Sequence, residues 1–143
     1  MERSTKMAIT GMGVIGIVLV GGYHVILNRA FESMCSNQIL AESLSPDGSK
    51  KFVVFQRSCD ATTGFSTQAS LLSADATLPD EPGNVFVADT DHGVAPSGPG
   101  GGPELRSHWA APNHLMIQHH VAARVFKAEQ RLKDTEIKYE TFR

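Results

Sequence analysis

Five histidines, His92, His108, His114, His119 and His120, fall within a span of 29 residues. Neutral imidazoles bind zinc, copper or nickel, and the thioether of Met116 adds a soft donor suited to copper. If residues 114–120 form a strand, His114, Met116, Gln118 and His120 share one face, and Leu115, Ile117 and His119 share the other. His114 and His120 would then stand ~20 Å apart, too far to share one ion. The spacing matches no metal-site motif. Copper or zinc binding through His108, His114, Met116, His119 and His120 is therefore the alternative reading. The leading one is polar side chains on the solvent side of a strand.

Two cysteines, Cys35 and Cys59, are too few for a disulfide framework or a four-ligand zinc site. In an oxidising compartment they would form one disulfide, worth ~3 kcal/mol in the chain-entropy model. In a reducing compartment they would be buried thiols. Downstream, Thr62, Thr63, Phe65, Ser66 and Gln68 set hydroxyls and an amide around one aromatic ring. They can form a polar binding rim, or simply a turn entering a strand, since threonine suits strands. The second reading is preferred.

Cys59, Asp60, Ser66 and Thr67 lie close in sequence, but no Gly-x-Ser-x-Gly elbow or His-Glu-x-x-His helix accompanies them. Gly100-Gly101-Gly102 lacks the Lys-Ser/Thr pair of a phosphate cradle. The chain reads as non-enzymatic, with no cofactor. A formal charge of −2 and a pI near 6.3 argue against nucleic-acid binding.

These residues sit on an uneven chain of 143. Residues 7–27 (MAITGMGVIGIVLVGGYHVIL) carry no formal charge and are long enough for a helix to cross a ~30 Å hydrocarbon core. Arg3 and Lys6 precede them; Arg29 is the one basic residue between them and Lys50. That bias predicts a cytoplasmic tail at 1–6 and a signal anchor at 7–27. Residues 28–143 would be exported to the periplasmic or extracellular side of the inner membrane. An uncleaved anchor fits better than a cleaved signal peptide, whose apolar core is shorter and whose nearest candidate site, Asn28-Arg29-Ala30, is poor, and better than a lipoprotein, because Glu32-Ser33-Met34 before Cys35 is no lipobox.

In the exported part, Ser45-Pro46-Asp47-Gly48 reads as a turn between strands at 39–44 and 51–59. Apolar residues on both faces of the second strand suggest a sandwich or barrel interior. Further strands are expected at 65–72, 84–89, 105–110, 114–119 and 136–142, with Trp109 the largest core candidate. Residues 91–104 are rich in Gly and Pro without periodicity, which suggests a flexible excursion. Val121, Ala122, Val125, Ala128 and Leu132 recur at helical spacing, so a helix is expected over 121–133. Its Arg124, Lys127, Arg131 and Lys133 would form a solvated face, or one able to meet an acidic partner or anionic headgroups. The expected architecture is mainly β: a small antiparallel domain of about seven strands, with one C-terminal helix before the last strand.

Several stretches together resemble a functionally uncharacterised family of short bacterial envelope proteins. They are Cys35-Ser36-Asn37, Ser45-Pro46-Asp47-Gly48, Val53 to Arg57 with Cys59, Ala61-Thr62-Thr63-Gly64-Phe65-Ser66-Thr67-Gln68, and Gly83-Asn84-Val85-Phe86 with Asp89. The Ala-Thr-Thr-Gly-Phe-Ser run is the most specific. The resemblance implies an N-terminal membrane segment and an envelope location, and brings no activity with it. The exported domain is expected to bind another envelope protein or a small ligand, and the chain to meet the bilayer through residues 7–27.

Overall fold

The computed structural model describes residues 35–59 and 64–143. The expected membrane segment and tail lie outside them. Among the described residues, no helix is long and apolar enough to cross a membrane. The described residues form nine strands: β1 (Ser36–Leu44), β2 (Lys50–Ser58), β3 (Ser66–Ser73), β4 (Phe86–Asp89), β5 (Leu105–Ala111), β6 (His114–His120), β7 (Arg124–Ala128), β8 (Arg131–Leu132) and β9 (Thr135–Phe142). They make two sheets, ordered β1-β2-β3-β4-β7 and β5-β6-β9-β8. One apolar cluster joins the sheets: Phe52, Val54, Leu71 and Phe86 from the first meet Leu115, Ile117 and Ile137 from the second. The architecture is a two-layer sandwich, and Trp109 packs half-buried against its core.

The first hairpin forms where its turn residues direct. Gly48 takes φ +70°, and its N–H donates to Ser45 O at 2.8 Å. The Ser45 hydroxyl donates to Asp47 Oδ1 at 2.6 Å, and that oxygen also accepts from the Ser49 N–H. These bonds, the Ser45 hydroxyl first, hold the Asp47 carboxyl at about 2. At the open end of the hairpin Ser36 pairs with Ser58, and one residue further out Cys35 is disulfide-bonded to Cys59.

β2 is buried on both faces. Phe52 and Val54 enter the inter-sheet core, while Val53 and Phe55, also fully buried, point the other way. On that outer face the segment after β3 is pinned to the sheet. Asn37 Nδ2 donates to Pro79 O and Glu81 O, and the Gly83 N–H donates to Gln68 Oε1 at 2.7 Å. Gly83 lies so close to the sheet that a Cβ there would come within 2.6 Å of Phe86 O.

Three expectations are corrected. Residues 121–133 form no helix; they give a turn at Val121-Ala122, then β7 and β8. β4 has only four residues and a fully buried Phe86 and Ala88, and β7 supplies the partner its second edge needs. Arg124 fastens that pairing, its Nε donating to Asp89 Oδ1 at 3.1 Å. Helical spacing in a short apolar run loses to an open sheet edge. The domain is also not wholly antiparallel. β7 joins the first sheet, so the chain crosses over and returns, and β9 runs parallel to β6.

The Gly/Pro-rich segment is the third correction. Ser97 bridges Pro103, the Gly98 N–H donates to Gly102 O at 2.7 Å, and Ala95, Gly102 and Pro103 are buried. A Cβ on Gly102 would come within 2.6 Å of Thr67 N. The glycines let this segment lie directly on β3.

Candidate binding site

β1 is an edge strand nine residues long. Among the described residues, its backbone ladder is made with β2 alone. Protein edges are usually blunted by lysine, proline, short length or a bulge. β1 carries one formal charge, Glu42, and no proline; a bulge at Leu40 is its single interruption. Ile39 and Leu44 are 49% and 60% exposed. Such an edge offers free N–H and C=O groups to a further strand, with apolar side chains beside them.

A groove of about 490 Å³ runs along this edge. Asn37, Ile39, Glu42 and Lys51 line it from the sheet, Leu78 and Asp80 from the segment after β3. Its shape is set by a buried cation. Arg57, 6% exposed, donates through Nη1 to Asn37 Oδ1 at 2.7 Å and to Asp80 Oδ1 at 3.0 Å. Asn37 passes the restraint on through its two bonds to Pro79 O and Glu81 O. Asp80 is itself exposed, but losing these partners would leave the buried Arg57 charge uncompensated, so the groove wall is held in place before any ligand arrives.

Of the expected polar rim, the described members divide between two faces of β3. Thr62 and Thr63 lie outside the described residues. Phe65 is half exposed and rests on Gly101, whose φ of +84° only glycine adopts without strain. Ser66 and Gln68 belong to the opposite face, with their polar groups engaged internally. The Ser66 hydroxyl donates to Arg57 O, and Gln68 Nε2 donates to Ser66 Oγ. Cys59 is held in the disulfide.

The histidines also divide. His114, Met116, Gln118 and His120 do share the outer face of the second sheet. His119 faces inward, its ring 5.5 Å from that of Phe86 and its Nδ1 3.0 Å from His120 O. His120 Nδ1 accepts the Ala122 N–H at 3.1 Å, fixing the turn into β7. His114 Nε2 lies 3.3 Å from Glu136 Oε2. His108, on β5, stands directly opposite Met116. Among the described residues, no three His, Cys, Asp or Glu side chains gather as a metal site.

No protein-family model, curated protein or solved structure matches this chain. The functional reading therefore rests on the geometry above. Sequence reasoning overlooked the groove because Asn37, Arg57 and Asp80 come from three separate segments. The one local signal was the pair of apolar residues, Ile39 and Leu44, on a strand with little charge.

Proposed function

We infer that this chain is a single-pass, membrane-anchored protein of a bacterial envelope, with an exported, non-enzymatic domain that binds an extended segment of another envelope protein along β1. The open β1 edge beside a braced groove carries the reading. Alternate side chains of an added strand would enter the groove next to Ile39 and Leu78. The location is supported by the uncharged run 7–27, by basic residues placed before it, and by the Cys35–Cys59 bond, which suits an oxidising compartment. The resemblance to short envelope proteins points the same way.

A photocrosslinking residue at Gln38 in the full-length chain, expressed in membranes, tests the docking. One discrete adduct is expected, and Ile39→Lys should remove it without lowering thermal stability. An adduct that persists in Ile39→Lys, or none at all, refutes docking at β1. Asp75 is exposed in the turn after β3, so labelling Asp75→Cys from outside intact cells tests the export. Protection from the reagent refutes it.

A further inference from the structure

The pairing of β5 with β6 brings together side chains that strand period alone keeps apart. His108 lies directly opposite Met116, on the outer face of the second sheet. Directly opposed residues hold their Cβ atoms ~5 Å apart, and diagonal neighbours ~7–8 Å. His114 is two residues from Met116 on the same face, ~7 Å along the strand. The register thus places the Cβ positions of His108, His114 and Met116 at the corners of a small triangle on one face. His108 and His114 are exposed and Met116 is half-buried, so the centre lies at the surface and is open to solvent.

We propose that these three residues form a cuprous-ion site, with two imidazole nitrogens and one thioether as donors. The donor set decides the metal. Thioether sulfur is a soft ligand that favours Cu(I), whereas zinc prefers thiolate, imidazole and carboxylate. Among the described residues, His, Cys, Asp and Glu side chains alone do not gather as a metal site; the proposed site takes its third donor from Met116, which stands opposite His108 in the β5–β6 register. His114 must leave Glu136, an exposed pair 3.3 Å apart. Pairs of that kind contribute little, so the exchange is easy. Lys138 also faces Met116 across the sheet, and the Glu136 carboxylate 3.7 Å from its ammonium offsets its repulsion of a cation. His120, the residue that strand period would have recruited, stays at its turn beside Phe142.

The test titrates the purified full-length chain with Cu(I) against bicinchoninate, under ascorbate and without oxygen. The disulfide is kept intact, because free thiolates would themselves take Cu(I). One Cu(I) per chain is expected. His108→Ala and Met116→Leu should each weaken its retention by about tenfold or more, while His120→Gln leaves it unchanged. X-ray absorption of the loaded protein should show one sulfur and two nitrogen neighbours. No Cu(I) held against the chelator, retention indifferent to Met116→Leu, or a spectrum without sulfur would each overturn the site.

Discussion

Replacing both cysteines with serine isolates what the Cys35–Cys59 bond contributes. The bond lies one residue beyond the Ser36–Ser58 pair that ends the β1–β2 ladder, so the native backbone already brings its ends together. Its effect should therefore fall on the denatured chain. A separation of 24 residues corresponds to ~3.5 kcal/mol of loop-closure entropy. For a compact unit spanning Cys35–Arg143, one kcal/mol moves the melting temperature by ~4 °C, so the double variant should melt ~14 °C lower. Urea denaturation followed by tryptophan fluorescence supplies the free energy, and its slope should rise, because the unbridged denatured chain exposes more surface. The wild type under reductant should match the variant. A loss below ~1 kcal/mol, with an unchanged slope, would refute the assignment of the bond to the denatured state.

Gly83→Ala should destabilise by ~1–3 kcal/mol in the same urea assay, since its Cβ would lie 2.6 Å from Phe86 O and 2.8 Å from Ala69 O, backbone atoms of two packed strands. A neutral result would show that the segment after β3 sits further from the sheet. Ile117→Ala and Ile137→Ala, both buried between the sheets, should each cost ~2–5 kcal/mol; a small loss at Ile137 alone would argue against β9 as a core strand. Asp47 should titrate at about 2, and Ser45→Ala should move it toward 3.8, read from the carboxyl carbon shift. The sign follows from the depressed folded-state value: the turn's contribution is present above the ordinary carboxylate range and is lost as pH falls through about 2. A midpoint of 3.8 in the wild type would mean that the Ser45 bond does not form in solution.

Elements announced by local chemistry were legible. The Ser-Pro-Asp-Gly turn, the β-branched run of β2 and the alternation of β5 and β6 each state their own structure. Residues 121–133 did not, because Val121, Ala122, Val125 and Ala128 satisfy a helical stripe as well as a strand. What decided between them was the unpaired edge of β4, which is distant in sequence. The parallel β6–β9 pair depends on the crossing of β7 to the other sheet, a fact with no local trace. The glycines at 100–102 suggest freedom in sequence, whereas in the fold they permit close approach to Gln56, Phe65 and Thr67. At the candidate sites the alternation correctly assigned His119 to one face and His114 and Met116 to the other. The neighbour that matters to them, His108, needed the register across β5 and β6, including the bulge between Trp109 and Ala111.

The position of β9 bears on how the domain is made. In chain order it is the last of the nine described strands, yet it sits inside its sheet, between β6 and β8. As residues emerge from N to C, the first hairpin can close early, and Cys35 can find Cys59 while most of the sandwich is still unmade. β6 has no such local partner on its second side until Thr135–Phe142 arrives, and until then Leu115 and Ile117 lack the cover of Ile137. Pairing that must await distant residues is slow, and an apolar strand left open meanwhile invites pairing with another chain. A nascent or truncated chain that ends before Thr135 should therefore be the aggregation-prone species, and the one most dependent on chaperones.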